Sequence, residues 1–486
     1  MARLIARVSQ PLPVVPPRLW IPEHASRRDV LRAALAGVAG MAGTSITGCV
    51  SRTPADTRLH LELWTIALST PALRAFMVER IAEFERENPG VRVEWVDVPF
   101  EAVDRKLIAT AAAGRAPDVV NLSDVQFGRF AGLGALADLD RLLPGDPGSV
   151  YLPGAMGLGR IGTGLKALPW YLTTQVSMIN TEMTSSGGLN ETNIAHDWAG
   201  LREQAQAFRA KTGKYLFSQP LGAESQIPVM MLGEGIVPLR GGADGRVEPD
   251  LQREDVAAFV GAWVEFYRSG AMPPEAATRD HSHLTDMYKN GTLGMIDTGP
   301  NFLSRVKSDS PRVLERTRVR AGMTGALGRQ HIATMVLGVT SSCKHPAEAA
   351  RLAWHMTSAA SQTRLCRTAM VLPSARASLE DPVVRGEESL PGTEPESARA
   401  RGLAAASLTD AVAFTPALAA WPDLRRAFEE GIKSALLDGR EIRRTLREID
   451  AQWRQILLAG APERMDAVPR PGPVRSKSSS GAGGAS

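Results

Sequence analysis

The chain has 486 residues, 44% of them apolar and 22% charged, which suits a soluble globular protein with room for two or three domains. Its formal net charge is +4, yet residues 1–48 alone carry six arginines against Glu23 and Asp29, so from Cys49 onward 50 basic residues face 50 acidic ones. No basic stripe remains to meet a phosphate backbone, which argues against nucleic acid as a partner.

Residues 1–25 are proline-rich and lack hydrophobic period, a composition expected to be disordered. Ser26-Arg27-Arg28-Asp29-Val30-Leu31-Arg32 and the uncharged, mostly small or apolar run 33–46 then have the layout of an export signal, with an apolar stretch too short to span a bilayer. Arg27-Arg28 resembles a twin-arginine signal, with Val30 where phenylalanine is common. Ile46-Thr47-Gly48-Cys49 resembles a lipobox, which makes Cys49 the expected acylated N-terminus and residues 49–58 a tether. A simply cleaved leader with an incidental cysteine is the alternative. Cys343 and Cys366 are the remaining thiols and read as small buried apolar residues rather than a disulfide.

Residues 59–64 alternate with period two and predict a strand; a helix follows with Leu73, Phe76, Met77, Ile81 and Phe84 on one face, stopped by Asn88-Pro89-Gly90. A strand over 91–96, a helix from about 101 to 113 and an apolar strand over 116–122 complete the series. Strand–helix–strand–helix–strand calls for a parallel, doubly wound sheet, whose ligands bind beyond the carboxyl ends of the strands. That places Trp64, Asn121, Ser123 and Asp124 at one mouth.

The stretch from Ala167 to Asn180 sets Trp170-Tyr171 beside Thr173, Thr174 and Gln175, flat apolar rings next to neutral hydrogen-bonding groups. Taken alone, it fits a core strand as well as a wall for a polyhydroxylated ligand. Farther on, Trp198 opens a helix with Leu201, Ala205 and Phe208 inward. Another helix carries Val256, Phe259, Val260, Trp263 and Phe266, and two amphipathic helices carry Leu424 to Leu436 and Ile442 to Leu457. Residues 380–399 read as a surface excursion and 461–486 as a disordered Pro/Ser/Gly tail.

Several passages in this order resemble the bacterial solute-binding proteins of ABC importers, family 1. They are Leu61–Trp64, Phe84-Glu85-Arg86-Glu87-Asn88-Pro89-Gly90, Gly114-Arg115-Ala116-Pro117-Asp118, Gly134-Ala135-Leu136-Ala137-Asp138, and the run from Met287 to Pro300. The resemblance covers roughly residues 58 to 460, and it rests on the ordered series. It implies an α/β, two-lobed periplasmic-binding-protein-like fold, each lobe a mixed, mainly parallel sheet flanked by helices, with several inter-lobe crossings. Lobe 1 is expected over 58–167 plus 298–343 and lobe 2 over 168–297 plus 344–460, with the first crossing at Pro169. Where the family often has tryptophan after the glycine-proline at 299–300, this chain has Asn301.

The implied function is capture of a small solute, a sugar or oligosaccharide, by hinge closure and delivery to an ABC permease. The protein is expected to be a monomer without cofactor, exported and lipid-anchored at the outer face of the cytoplasmic membrane or in the periplasm. Expected ligand contacts are Trp64, Ser123, Asp124, Trp170, Tyr171, Thr173, Asn301 and Trp421, with Arg376 as the partner of an anionic group. A glycerophosphodiester or polyol ligand is the nearest alternative. From another class, a secreted carbohydrate-active enzyme would pair two of Asp118, Asp124 and Asp297; a surface sensor or adhesin is a weaker third reading. His281-Ser282-His283 would share a face if extended, but lacks the further ligands of a metal site.

Overall fold

The computed structural model describes residues 57–161 and 164–460 together with 462, 464, 465 and 468. The expected signal at 1–48, Cys49, nearly all of the tether and most of the tail lie outside those residues. From Arg58 onward the chain forms one compact unit. Among the described residues no helix is long and apolar enough to cross a membrane.

Two sheets organise that unit. Strands β1 (Leu59–Ile66), β2 (Val91–Val98) and β3 (Val119–Ser123) are parallel and are joined by helices α1 (Pro71–Glu87) and α2 (Val103–Ala112). This is the doubly wound beginning that the periodicity predicts. Strand β4 (Ala167–Thr173) belongs to the same sheet, and β5 (Val176–Asn180) opens a second one. In the smaller sheet β5 lies between β6 (Met295–Thr298) and β7 (Thr317–Ala321), antiparallel to both. The chain then returns as β8 (Ala333–Val339), which runs antiparallel to β3 and β4, and the short β9 (Leu372–Pro373) closes the larger sheet in the order β9-β4-β8-β3-β1-β2.

Apolar residues cover both faces of each sheet. In the larger sheet Leu61, Leu63, Leu168 and Leu337 pack on one side with Phe76 and Phe84, while Trp64, Val120, Leu122 and Val336 pack on the other with Phe127. In the smaller sheet Ile179 and Met295 join a core with Trp198, Trp263, Trp421 and Trp453; Val176, Met178 and Ile296 face Tyr288 and Phe302. Two sheets with four covered faces make the two lobes.

The lobe boundaries differ from those expected. The crossing follows β4 and is only Thr174-Gln175, because Pro169 lies inside a strand of the larger sheet. Residues 317–321, expected in lobe 1, form the edge β7 of the smaller sheet. The helix Pro346–Met356, expected in lobe 2, puts Ala349, Leu352 and Met356 into the core over the larger sheet. Residues 395–407, partly within the expected surface excursion, form a helix with Ala400 and Ala404 buried. Cys343 and Cys366 are both free thiols, half-buried and buried respectively.

Helix α3 (Asp124–Gly132) starts on a capping box: Gln126 N donates to Ser123 Oγ over 3.3 Å and Ser123 N to Gln126 Oε1 over 2.9 Å. Its Gly128 and Gly132, one turn apart, admit the chain at 417–419. A Cβ on Gly132 would stand 2.7 Å from Ala419 Cβ, and one on Gly128 3.1 Å from the Ala417 carbonyl carbon. Gly132→Val is expected to cost about 1–3 kcal/mol, the usual price of overpacking, read as a lower urea midpoint at unchanged slope. An unshifted midpoint would show that this packing is loose.

Candidate functional site

The crossings between the sheets run side by side. Thr174 Oγ1 donates to the His331 carbonyl over 2.9 Å, tying the β4–β5 link to the β7–β8 link. A Cβ on Gly322 would meet the Gln175 carbonyl oxygen at 2.5 Å, and one on Gly325 the Gly233 carbonyl carbon, also at 2.5 Å. Glycine lets backbone approach backbone here.

One row of side chains holds the start of the second link. Asp297, Ser177 and Arg320 are direct partners across β6, β5 and β7. Ser177 Oγ donates to Asp297 Oδ1 over 2.5 Å, and the Met323 N–H to Oδ2 over 2.8 Å. Arg320 donates to the carbonyls of Ile194 and Ala195 over 2.6 and 2.7 Å. Burial raises the Asp297 carboxyl pKa, against the Ser177 and Met323 hydrogen bonds and the Arg320 charge. Burial likewise lowers that of Arg320, with Asp297 opposing.

Between these links, the helix Ile227–Gly233 and the segment containing Phe414 lies a cleft with about 480 Å3 of empty space, open solvent included. It is narrow: only about 50 Å3 of it can hold the centre of a water molecule. Trp198, Val229, Met230, Met323 and Phe414 supply its apolar wall, and Gln175, Gln219, Gln226, Thr324, Arg329 and His331 much of the polar one. His331 stacks on Phe414 with centroids 6.0 Å apart and 21° between planes. Its Nδ1 accepts the Phe414 N–H over 3.1 Å, which leaves Nε2 to carry the proton of the neutral ring. Burial lowers the His331 pKa, and the nearby charge of Asp124 acts the other way.

The residues expected to bind ligand are not gathered at this cavity. Trp170 is fully buried in the core over the larger sheet, its indole N–H without a partner. Trp170 lies two residues after Leu168 and enters the same core, as plain alternation gives; the bulge there, with Tyr171 opposite Met335 and Pro169 opposite Val336, breaks the alternation and brings Tyr171 against that core too. Tyr171 is half-buried, edge-on to Trp170 at 5.3 Å, and burial raises its pKa, helped by Asp97. Trp421 is 1% exposed and packs edge-on against Trp453. Trp64 is buried, donates to Glu62 over 2.6 Å and has Lys106 Nζ 4.2 Å over its ring. Ser123 spends its hydroxyl on the helix cap, whereas Thr173 and Asn301 are exposed. Arg376 donates to the carbonyls of Tyr151 and Gly148 over 3.1 and 3.3 Å and serves that loop. Asp124, which does not line the cavity, acts on it by its charge on His331.

The wall residues themselves were partly visible in sequence. Gln175 belongs to the Trp-Tyr-Thr-Thr-Gln stretch and Trp198 opens its helix; nothing in the sequence signals Gln219 or Arg329. The two histidines of His281-Ser282-His283 lie in the first turn of the helix His281–Lys289, where neighbours two apart point to different sides, and His281 Nε2 bonds Thr298 Oγ1 over 3.2 Å. Among the described residues no cluster suits a metal. Nor do the three aspartates pair. Asp118 accepts the Glu62 N–H just before β3 and Asp124 follows its far end, a span of roughly 16–20 Å by strand rise. Asp297 has both oxygens engaged within the smaller sheet.

Residues 79–391 match the family model described as bacterial extracellular solute-binding protein. An uncharacterised lipoprotein from the oleD 5′ region of Streptomyces antibioticus is 23% identical over 349 residues, 70% of this chain and 76% of its own. A periplasmic-binding protein of Synechococcus sp. MITs9220, provisionally assigned to oligosaccharides, superposes with a TM-score of 0.74 at 28% identity, over 82% of this chain and 99% of that one. The GacH receptor of Streptomyces glaucescens GLA.O, solved unliganded and with acarbose, has a TM-score of 0.65 at 21% identity, over 83% and 100%, a likeness of fold.

His196 and His281 also have pKa values lowered chiefly by burial. A histidine held neutral by the fold contributes stability that is fully present above its unfolded pKa of about 6.5 and is lost as pH falls through the lower folded value. Wild type is therefore expected to lose more melting temperature between pH 7.5 and 5.5 than His331→Asn, whose side-chain oxygen can still accept the Phe414 N–H. Equal losses would show that His331 is not buried as described.

Proposed function

This chain belongs to the family of bacterial extracellular solute-binding proteins, and on that premise we propose that it captures a sugar or oligosaccharide between its lobes and delivers it to an ABC permease. The observation that carries the reading is the cavity beside the crossings, where indole and phenyl groups adjoin side-chain amides. Closure over a ligand turns on the short links Thr174-Gln175 and 322–332, the kind of segment that absorbs a hinge rotation. Sugar-binding proteins among the structural neighbours support the solute class.

The contact set we propose moves from the buried tryptophans to Gln175, Gln219, Trp198 and His331, with Asp124 behind His331 and Tyr171 at the rim of the larger sheet. A polyol or glycerophosphodiester uses the same contact types and remains the alternative ligand. The unpaired positions of Asp118, Asp124 and Asp297 favour binding over hydrolysis. The same reading has the protein exported through its Arg27-Arg28 signal, acylated at Cys49 and working as a monomer. The permease then reads the closed conformer, which the ligand populates by binding it better.

Thermal-shift screening of the purified mature chain against oligosaccharides, monosaccharides and polyols tests the solute class, since ligand at 100 times Kd adds about 2.7 kcal/mol. One or more sugars are expected to raise Tm, and Gln219→Leu to weaken that sugar about 5- to 10-fold through one lost neutral hydrogen bond. No shift across the library would reject a sugar ligand, and release of hydrolysed product would reject the binding role. Cys49→Ser is expected to move the protein from the membrane to the soluble fraction; unchanged fractionation would reject the lipid anchor.

A further inference from the structure

Arg329, on the link between β7 and β8, lines the cavity with its Nε buried and without a hydrogen-bond partner. It makes no ion pair, hydrogen bond or ring contact with any described residue, unlike the other arginines around it. Arg320 is held by two carbonyls, and Arg202 lies 5.2 Å over the Trp263 ring near Glu234. Among the described residues, the cavity wall contains no aspartate or glutamate. The carboxylates nearby are engaged elsewhere: Glu234 accepts the Ala326 N–H over 3.0 Å, Asp124 the Val125 N–H over 2.9 Å, and Asp297 is locked in the sheet.

A second observation points the same way. Gln219 is 4% exposed, lines the same cavity, and its amide has no partner among the described residues. Buried side-chain amides are almost always hydrogen-bonded, so one without a partner among the described residues at a cavity is open to water or to a ligand that displaces it. Gln175 adds an exposed amide on the opposite link. Three donor side chains thus line one space whose described wall carries no negative charge. A neutral sugar would satisfy the amides and leave the guanidinium unmatched. A carboxylate or phosphate would satisfy both, and it fits the planar fork of arginine bidentately.

We propose that the solute is an anionic sugar, a uronate or a sugar phosphate, whose charged group pairs with Arg329 while Gln219 and Gln175 take its hydroxyls. This rests on the solute-binding reading above and narrows its ligand. The cavity is narrow, with about 50 Å3 open to the centre of a water molecule, which favours a mono- or disaccharide over a long chain.

The test is calorimetric titration of the mature chain with matched sets: glucose, glucuronate and glucose 6-phosphate; galactose, galacturonate and galactose 6-phosphate; maltose and digalacturonate. The anionic member of at least one set is expected to bind about 10- to 100-fold more tightly than its neutral counterpart, the range of one charge-assisted hydrogen-bond pair. Arg329→Gln is expected to erase that preference, bringing the anionic member down to its neutral counterpart, with the thermal midpoint unchanged, since Arg329 makes no contact with the described residues. A response confined to uronates or to phosphates names the charged group. Equal binding of neutral and anionic members, or equal losses for both in Arg329→Gln, would overturn the anionic sugar and leave solute capture standing. Silence of every sugar would overturn both.

Discussion

Asp297, Ser177 and Arg320 lie in one line across all three strands of the smaller sheet, and the organisation of the cavity follows from that line. Charged groups this deep are expensive to bury, and hydrogen bonds must offset the loss of water. Here they do so by fastening segments that otherwise have little to hold them. Asp297 fixes the Met323 N–H where β7 gives way to the link, and Arg320 collects the Ile194 and Ala195 carbonyls just ahead of Trp198. Met323 and Trp198 are both cavity walls. One polar row inside a sheet therefore sets the positions of two walls of a site outside it, a use of buried polarity for geometry rather than for stability.

The same region shows why glycine recurs along the links. Gly322 lies against the Gln175 carbonyl and Gly325 against Gly233, both too close for any side chain. Such contacts are made by backbone alone, so they can slide or part without unpacking a core. Rigid rows beside slender, glycine-spaced links are what a two-lobed closing protein requires: lobes that keep their shape and connections that bend.

Much of the architecture was legible in the sequence because it depends on local period. The alternation at 59–64, the stripe from Leu73 to Phe84 and the amphipathic pair at the C-terminal end of the unit each specify an element and its buried face. What was not legible depends on partners distant in sequence. The bulge at Trp170 exists only once β8 is paired, and it brings Tyr171 against the same core as Trp170. Trp64 and Trp421 were persuasive as stacking surfaces for the same reason that they make good core: they are large and flat. The helix Pro346–Met356 follows a strand of the larger sheet and packs back on it, and no composition cue separates that from packing on the other lobe. The helix over 395–407 is built largely of alanine and small residues and has no strong stripe to read. Gln219 and Arg329 carry no motif; they stand out only when the absence of a partner can be seen.

The two thiols of the described unit bear on how such a protein can be watched at work. Burial holds the Cys343 thiol up at about 12 and raises that of Cys366 as well, so at neutral pH neither offers appreciable thiolate to an alkylating dye. Thr173 and Gln175, by contrast, are exposed at the first link. With Cys49 replaced by serine, the native thiols form a silent background. A single cysteine introduced at position 173 would accept a fluorophore where the lobes swing, and the chain becomes its own optical reporter of closure.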